Sequence, residues 1–293
     1  MVRPSRQEMN RNTYAVIRAA YPKLSKSAKQ VADFVLNNAS EALYLSITSL
    51  AEACDVSEAT ISRFCQRLGY NSFSDFKLSL AMSRDDSRKS RIEERMSFEP
   101  KSVDYMSFSS EVRESYRTAL EVAALQLTES SLEAAVDLID KAKRVFCFGQ
   151  GGNTVIAQEA QIIFMPATPK FVWIHDTHMQ AMTAAQLEED DVILFFSYSG
   201  ATRDVVDTLE AAKESKGKVI LVTYFTQSPG AALSDVVLLC GTQESPLQVG
   251  AVATKIAMLY IIDLMYRVYC SRHVEASQEA IRKSARAAAR KSL

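Results

Sequence analysis

The chain is 293 residues long, 47% hydrophobic and 24% charged, and its 34 Lys and Arg against 35 Asp and Glu leave a formal net charge of −1. This is the composition of folded globular protein with length enough for two cores, and it excludes collagen, a disulfide-stapled miniprotein and wholesale disorder. Its five cysteines are scattered singly through apolar runs without zinc spacing, so they read as reduced core residues.

The opening MVRPSRQEMN lacks the apolar core of a signal peptide, and the greasiest stretch, 249–266, is interrupted by Lys255 and Asp263. No membrane partner and a cytoplasmic location are therefore expected. Residues 1–90 carry a net charge of +4 and the rest −5, so a polyanion partner is expected for the first part only.

Between 24 and 80 the apolar residues recur at helical spacing. Within SITSLAEACDVSEATISRFCQRLGY, a helix is expected over 47–54, burying Ile47, Leu50, Ala51 and Cys54. The turn Asp55-Val56-Ser57 leads into a second helix whose Ile61, Phe64, Cys65 and Leu68 share one face, with Ser57 as N-cap and Gly69 as terminator. This is a helix-turn-helix pattern. Asp55 stands where many such motifs have Gly, and Asp tolerates the left-handed conformation the turn needs. The outward face holds Ala59, Arg63 and Gln66, flanked by Ser57, Thr60 and Arg67, and suits the major groove: Arg63 for guanine, Thr60 for a base edge or phosphate, Ala59 for a thymine methyl. An ordinary helical hairpin with a polar outer face has the same pattern. The opening LSKSAKQVADFVLNN, this centre and the closing FSDFKLSL together resemble the N-terminal domain of the RpiR-type family of sugar-phosphate-responsive transcriptional regulators. The resemblance implies a double-stranded DNA operator as partner.

Residues 83–102, SRDDSRKSRIEERMSFEPKS, are almost wholly polar and read as a linker. Helical patterns follow at 109–127 and 132–142. From 145 onward, VFCF (145–148), FVWI (171–174), VILFFS (192–197), VILVTY (219–224) and VVLLC (236–240) alternate with helical stretches. Each run is continuously apolar, as expected of parallel strands covered on both faces. The fold expected is thus an all-α helix-turn-helix domain (1–82), a linker (83–105), an α/β doubly wound domain with a five-stranded parallel sheet (106–272) and a basic tail (273–293).

Two loops of the second domain carry chemistry. The first strand runs into Gly149-Gln150-Gly151-Gly152-Asn153-Thr154, where a dinucleotide fingerprint needs Gly in place of Thr154, so no nicotinamide cofactor is expected, nor any other. The third strand ends in Ser197-Tyr198-Ser199-Gly200-Ala201-Thr202, three hydroxyls at the start of a helix whose amides and dipole favour an anion. Capping alone explains one hydroxyl better than three. Residues 145–266 resemble the sugar isomerase (SIS) domain through this Ser-x-Ser-Gly-x-Thr loop, Asp176-Thr177-His178, Thr223, Ser228-Pro229 and the 254–263 helix.

That resemblance implies a phosphorylated sugar as effector, held by Gly149, Gly151, Asn153, Ser197, Ser199, Gly200 and Thr202, with Glu244 from the loop before the last long helix. Asn153 stands where the family commonly has Ser. A sugar-phosphate isomerase or lyase, with Glu244 or His178 as general base, is the alternative to binding without turnover. His175, Asp176 and His178 lack further ligands for a metal, so none is expected. A homodimer or homotetramer is expected, since one small reading helix covers little DNA. The apolar 249–266 segment has surface for a partner or for the sheet. The basic Arg282, Lys283, Arg286, Arg290 and Lys291 read as a solvated terminal helix.

Overall fold

A computed structural model describes residues 12–43, 45, 47–83, 105–242 and 252–290, which fall into two compact units divided after Tyr105. The first unit is helical: α1 (Thr13–Ala20), α2 (Lys26–Asn37), a single turn α3 (Ala39–Ala42), α4 (Ile47–Ala53), α5 (Glu58–Arg67) and α6 (Phe73–Ser83). Ser25 caps α2 by accepting the Ala28 N–H at 3.3 Å. The apolar faces meet in one core of Ile17, Val31, Val35, Leu50, Ile61, Phe64, Phe76 and Leu80, where the rings of Phe64 and Phe76 cross edge to face at 5.7 Å. Thr13 ties α1 to α6, its N–H donating to Ser83 Oγ at 2.6 Å and its hydroxyl to Ser79 Oγ at 3.0 Å.

Lys77 of α6 is mostly buried, donating to the Leu45 carbonyl at 2.9 Å with its ammonium 5.5 Å from the Phe73 ring centre. Burial pushes its pKa down to about 8. Below pH 8 the folded and unfolded states both hold the proton, and the folded state bears the full desolvation penalty. Between about pH 8 and the usual lysine range the unfolded chain keeps a proton that the folded chain has shed, so stability rises with pH. Thermal melts from pH 7 to 10 are expected to show this rise for the wild type and none of it for Lys77→Met; parallel profiles would place the ammonium in water.

The second unit opens with α7 (Tyr105–Gln126) and α8 (Glu129–Lys141). α7 starts one turn earlier than the apolar spacing implies, and α8 starts where Thr128 caps it through the Ser131 N–H. Five strands and their helices follow: β1 (Arg144–Gly149), α9 (Thr154–Phe164), β2 (Phe171–Trp173), α10 (Thr177–Ala184), β3 (Asp191–Phe196), α11 (Arg203–Glu214), β4 (Lys218–Thr223), a single turn α12 (Pro229–Ala232), β5 (Val236–Leu239), α13 (Val252–Arg272) and α14 (Val274–Ala289). All pairings are parallel and the order is β2-β1-β3-β4-β5. Each expected apolar run is a strand.

Alternate residues of those runs serve two cores. Val145, Cys147, Val192, Leu194, Phe196, Ile220 and Val222 pack under α7, α8, α9 and α13. Phe146, Phe148, Ile193, Phe195, Val219 and Leu221 pack under α10, α11 and α12. The apolar α13 thus spends Met258, Ile261 and Met265 on the sheet of its own chain. Sheet order reverses between β1 and β3, so a crevice opens beyond their carboxyl ends, the usual ligand position in open parallel sheets. At the opposite end Arg144 grips the buried Asp191 through two bonds of 2.8 and 2.6 Å. Burial pushes the Asp191 carboxyl up, but the Arg144 bonds and the Glu188 N–H outweigh it and leave the pKa lowered.

Cys54, Cys65, Cys147 and Cys240 are buried and Cys270 half-buried, all as thiols outside any disulfide. Burial pushes Cys54 up to about 11 and Cys65 up to about 12, which keeps both as unreactive thiols. Among the described residues no helix is long and apolar enough to cross a membrane.

Candidate functional site

In the first unit, α4 and α5 form the helix-turn-helix. The turn depends on Asp55, whose φ of 51° is the left-handed conformation that Asp accepts, and α5 ends at Gly69 with φ 91°. Ile61, Phe64 and Cys65 are buried, which turns Ala59, Arg63, Gln66 and Arg67 out to solvent, with Ser57 exposed and Thr60 half-buried at the helix start. Ser57 occupies the N-cap position, but its hydroxyl bonds to that of Thr60 at 3.0 Å rather than to a backbone N–H. Two arginines of this face are differently held. The Arg63 side chain lies along the helix with Nε donating to the Ala59 carbonyl at 3.1 Å, whereas the Arg67 guanidinium reaches back to the Lys23 carbonyl at 2.5 Å. Arg67 therefore braces α5 against the chain before α2.

In the second unit, Gly149 ends β1 with no room for a side chain: a Cβ there would lie 2.4 Å from the Asn153 carbonyl oxygen. Gly151 follows with φ 54°, and one turn through Asn153 leads into α9. Against this turn lies Lys255 from the first turn of α13, its Nζ 3.4 Å from where a Cβ on Gly152 would stand. The spacing of the sequence marked Lys255 only as a break in a greasy run.

The β3 loop holds its own shape. Ser197 is buried and its Oγ accepts the Gly200 N–H at 3.2 Å; Ser199 Oγ accepts the Ala201 N–H at 3.3 Å. The carbonyls of Tyr198 and Gly200 are taken up from the β4 side, by Thr223 Oγ1 at 3.0 Å and the Gly230 N–H at 2.8 Å. Gly200 has φ 57°, and a Cβ there would meet Ser228 Oγ at 2.3 Å. Thr202 is the N-cap of α11 and makes no cap bond with its exposed side chain, so its hydroxyl and the first amides of α11 face solvent together. Arg203 points away and pairs with Asp207 at 3.6 Å.

Around the rim, Asp176 caps α10 through the Met179 N–H at 3.0 Å, and His175 Nδ1 lies 3.2 Å from Thr154 Oγ1. Buried Gln180, unmarked by any sequence pattern, latches α10 to the strand ends by donating to the Gly149 and Ile174 carbonyls. No group of three or more His, Cys, Asp or Glu that could hold a metal occurs among the described residues. Glu244 lies outside the described residues.

The structure thus brings the Gly149–Asn153 and Ser197–Thr202 loops to adjacent, paired strands, whose partners include Gly149 and Phe196. A helix-turn-helix unit on the same chain as a parallel sheet with this crevice defines a two-unit transcriptional regulator. Residues 11–87 match the model of the helix-turn-helix domain of the rpiR family, and residues 138–267 that of the SIS domain. An uncharacterized HTH-type transcriptional regulator of Caldanaerobacter subterraneus subsp. tengcongensis is 30% identical over 86% of this chain and 88% of its own. HexR of Escherichia coli, an HTH-type transcriptional regulator, is 29% identical over 87% and 86%. The solved structure of the Vibrio vulnificus NanR protein complexed with ManNAc-6P superimposes with a TM-score of 0.77 at 25% identity, covering 94% of this chain and 97% of that one. The chain belongs to the rpiR family of helix-turn-helix transcriptional regulators and carries a SIS domain.

Proposed function

We propose that this regulator binds a double-stranded operator through the outer face of α5, as a homodimer or homotetramer, and that a phosphorylated sugar in the β1/β3 crevice sets its affinity for that operator without being turned over. The observation that carries this reading is the Ser197–Thr202 loop, with hydroxyls and helix-start amides gathered at the switch point, and with Lys255 against the neighbouring Gly149–Asn153 turn as a counter-charge. NanR, similar over most of its length, is complexed with ManNAc-6P, which places that compound in the first panel of ligands to try. Thermal shift of the purified protein against phosphorylated sugars and their unphosphorylated counterparts tests the effector class. The expected result is a shift with one or a few phosphorylated members and product-free incubations; a rapid turnover of the best ligand would favour the isomerase reading instead.

DNA reading has its own test. Arg63→Ala leaves the buried face of α5 intact and removes the side chain best suited to a guanine, so about 1 to 3 kcal/mol of discrimination should be lost. Gel shifts against the operator and a scrambled duplex are expected to converge for the variant. Unchanged preference would assign base reading to another face.

A further inference from the structure

After Glu279 the sequence holds five cations, Arg282, Lys283, Arg286, Arg290 and Lys291, and no acid, although residues 91–293 carry a net charge of −5. Four of the five lie on α14 or at its C-cap, where every residue from Arg282 to Arg290 is exposed. Lys283 pairs back with Glu279 at 3.4 Å. Arg282, Arg286 and Arg290 have no hydrogen-bond or ion-pair partner among the described residues, and at four-residue intervals they form one row along the helix. The inner face of α14 is marked by buried Ser277, half-buried Ile281 and Ser284, whose Oγ donates to the Pro166 carbonyl at 3.3 Å. At 3.6 residues per turn those three lie on the side opposite the arginine row, which therefore points away from the protein. Like charges at this spacing weaken a helix, and the helix dipole favours cations only within the last turn. That accounts for Arg286 and Arg290 and leaves Arg282 without a reason inside the fold.

We propose that this arginine row grips the phosphates of duplex DNA, giving the second unit a sequence-independent hold on the operator beside the reading face of α5. The inference rests on the proposed operator binding and adds a second DNA surface to it. The three arginines rise over about 12 Å, a length along which a duplex presents about seven phosphates. Their guanidinium forks match phosphate oxygens in charge and geometry. A membrane surface is a poorer match, because the row is flanked by Lys283, Ala285, Ala287 and Ala289, with no large apolar side chain to bury among acyl chains.

The test compares the full chain with a variant carrying Arg282→Gln, Arg286→Gln and Arg290→Gln, on a short random-sequence duplex, by fluorescence anisotropy at several salt concentrations. Each phosphate contact contributes about 0.9 to the slope of log affinity against log salt. The wild-type slope should therefore be steeper by about 2 to 3 per bound chain, and its affinity at about 0.1 M salt at least tenfold higher. Replacing the same three residues by Lys should keep most of both, since a point charge serves a phosphate. Preference for a duplex enriched from a random pool over the random duplex should be the same in all three proteins. Equal slopes and affinities for the wild type and the Gln variant overturn the proposal, as does a Lys variant that loses as much as the Gln variant. Flotation with phosphatidylserine vesicles should leave both wild type and Gln variant unbound; capture of the wild type alone would give the row to a membrane and also overturn it. A wild type that binds neither random nor enriched duplex sinks the operator reading together with this one. A wild type that binds, with the Gln variant indistinguishable from it, removes only the role of α14.

Discussion

Replacing Ser199 and Thr202 together by alanine is expected to lower affinity for the phosphorylated sugar by roughly two to four orders of magnitude, while operator binding without the sugar survives. A phosphate monoester is nearly doubly charged at neutral pH and presents three strong acceptor oxygens, so its site has to supply several donors at once. Thr202 contributes a hydroxyl not engaged in capping, and Ser199 one whose acceptor side is held by the Ala201 N–H while its proton is free to turn. Each hydrogen bond to a charged group is worth roughly 1.5 to 3 kcal/mol, and two of them give the stated range. Calorimetry with the best phosphorylated ligand on both proteins measures the difference. Equal affinities would place the phosphate outside the β3 loop.

Gly200→Ala should remove the effector response and destabilise the second unit by about 2 to 5 kcal/mol, for two separable reasons. A left-handed φ costs a residue with a Cβ about 1 to 2 kcal/mol, and forcing an atom into packed surroundings adds roughly 1 to 3. The second part has a named cause, since the new methyl would lie 2.3 Å from Ser228 Oγ and 3.0 Å from its Cβ. Adding Ser228→Gly removes both atoms and, at an N-cap, costs only a few tenths of a kcal/mol. The double variant is therefore expected to recover the packing part and keep the strain. Denaturant unfolding of the four proteins of this cycle checks it; strict additivity of the two substitutions would show that they do not touch.

The architecture was legible because its signals are local. Continuously apolar runs such as Val192–Phe196 can only be strands buried on both faces, and all five were found on that ground. Asp55 and Gly69 announced a turn and a stop in residue types that tolerate positive φ. The order of the strands was not in the runs themselves, since β1 pairs with both β2 and β3 through contacts no local pattern encodes. For the same reason Lys255 and Gln180 escaped notice. One is a lysine in an apolar helix and the other an amide two residues past His178, and only the fold brings them to the Gly149–Asn153 loop. Lys77 shows the limit from the other side: a charged residue in a helix reads as surface until the Leu45 carbonyl is seen to receive it.

The β3 loop closes on itself through the Ser197 and Ser199 hydroxyls, which already accept the amides of Gly200 and Ala201. Under the proposed reading, this sets an entry threshold. An unphosphorylated sugar offers hydroxyl oxygens no better as acceptors than those two serines, so exchanging one for the other gains nothing. A phosphate oxygen carries charge and forms hydrogen bonds roughly twice as strong as neutral ones. Only such a group gains by taking these amides from the serines, so under that reading a free sugar is expected to bind far more weakly than its phosphorylated form.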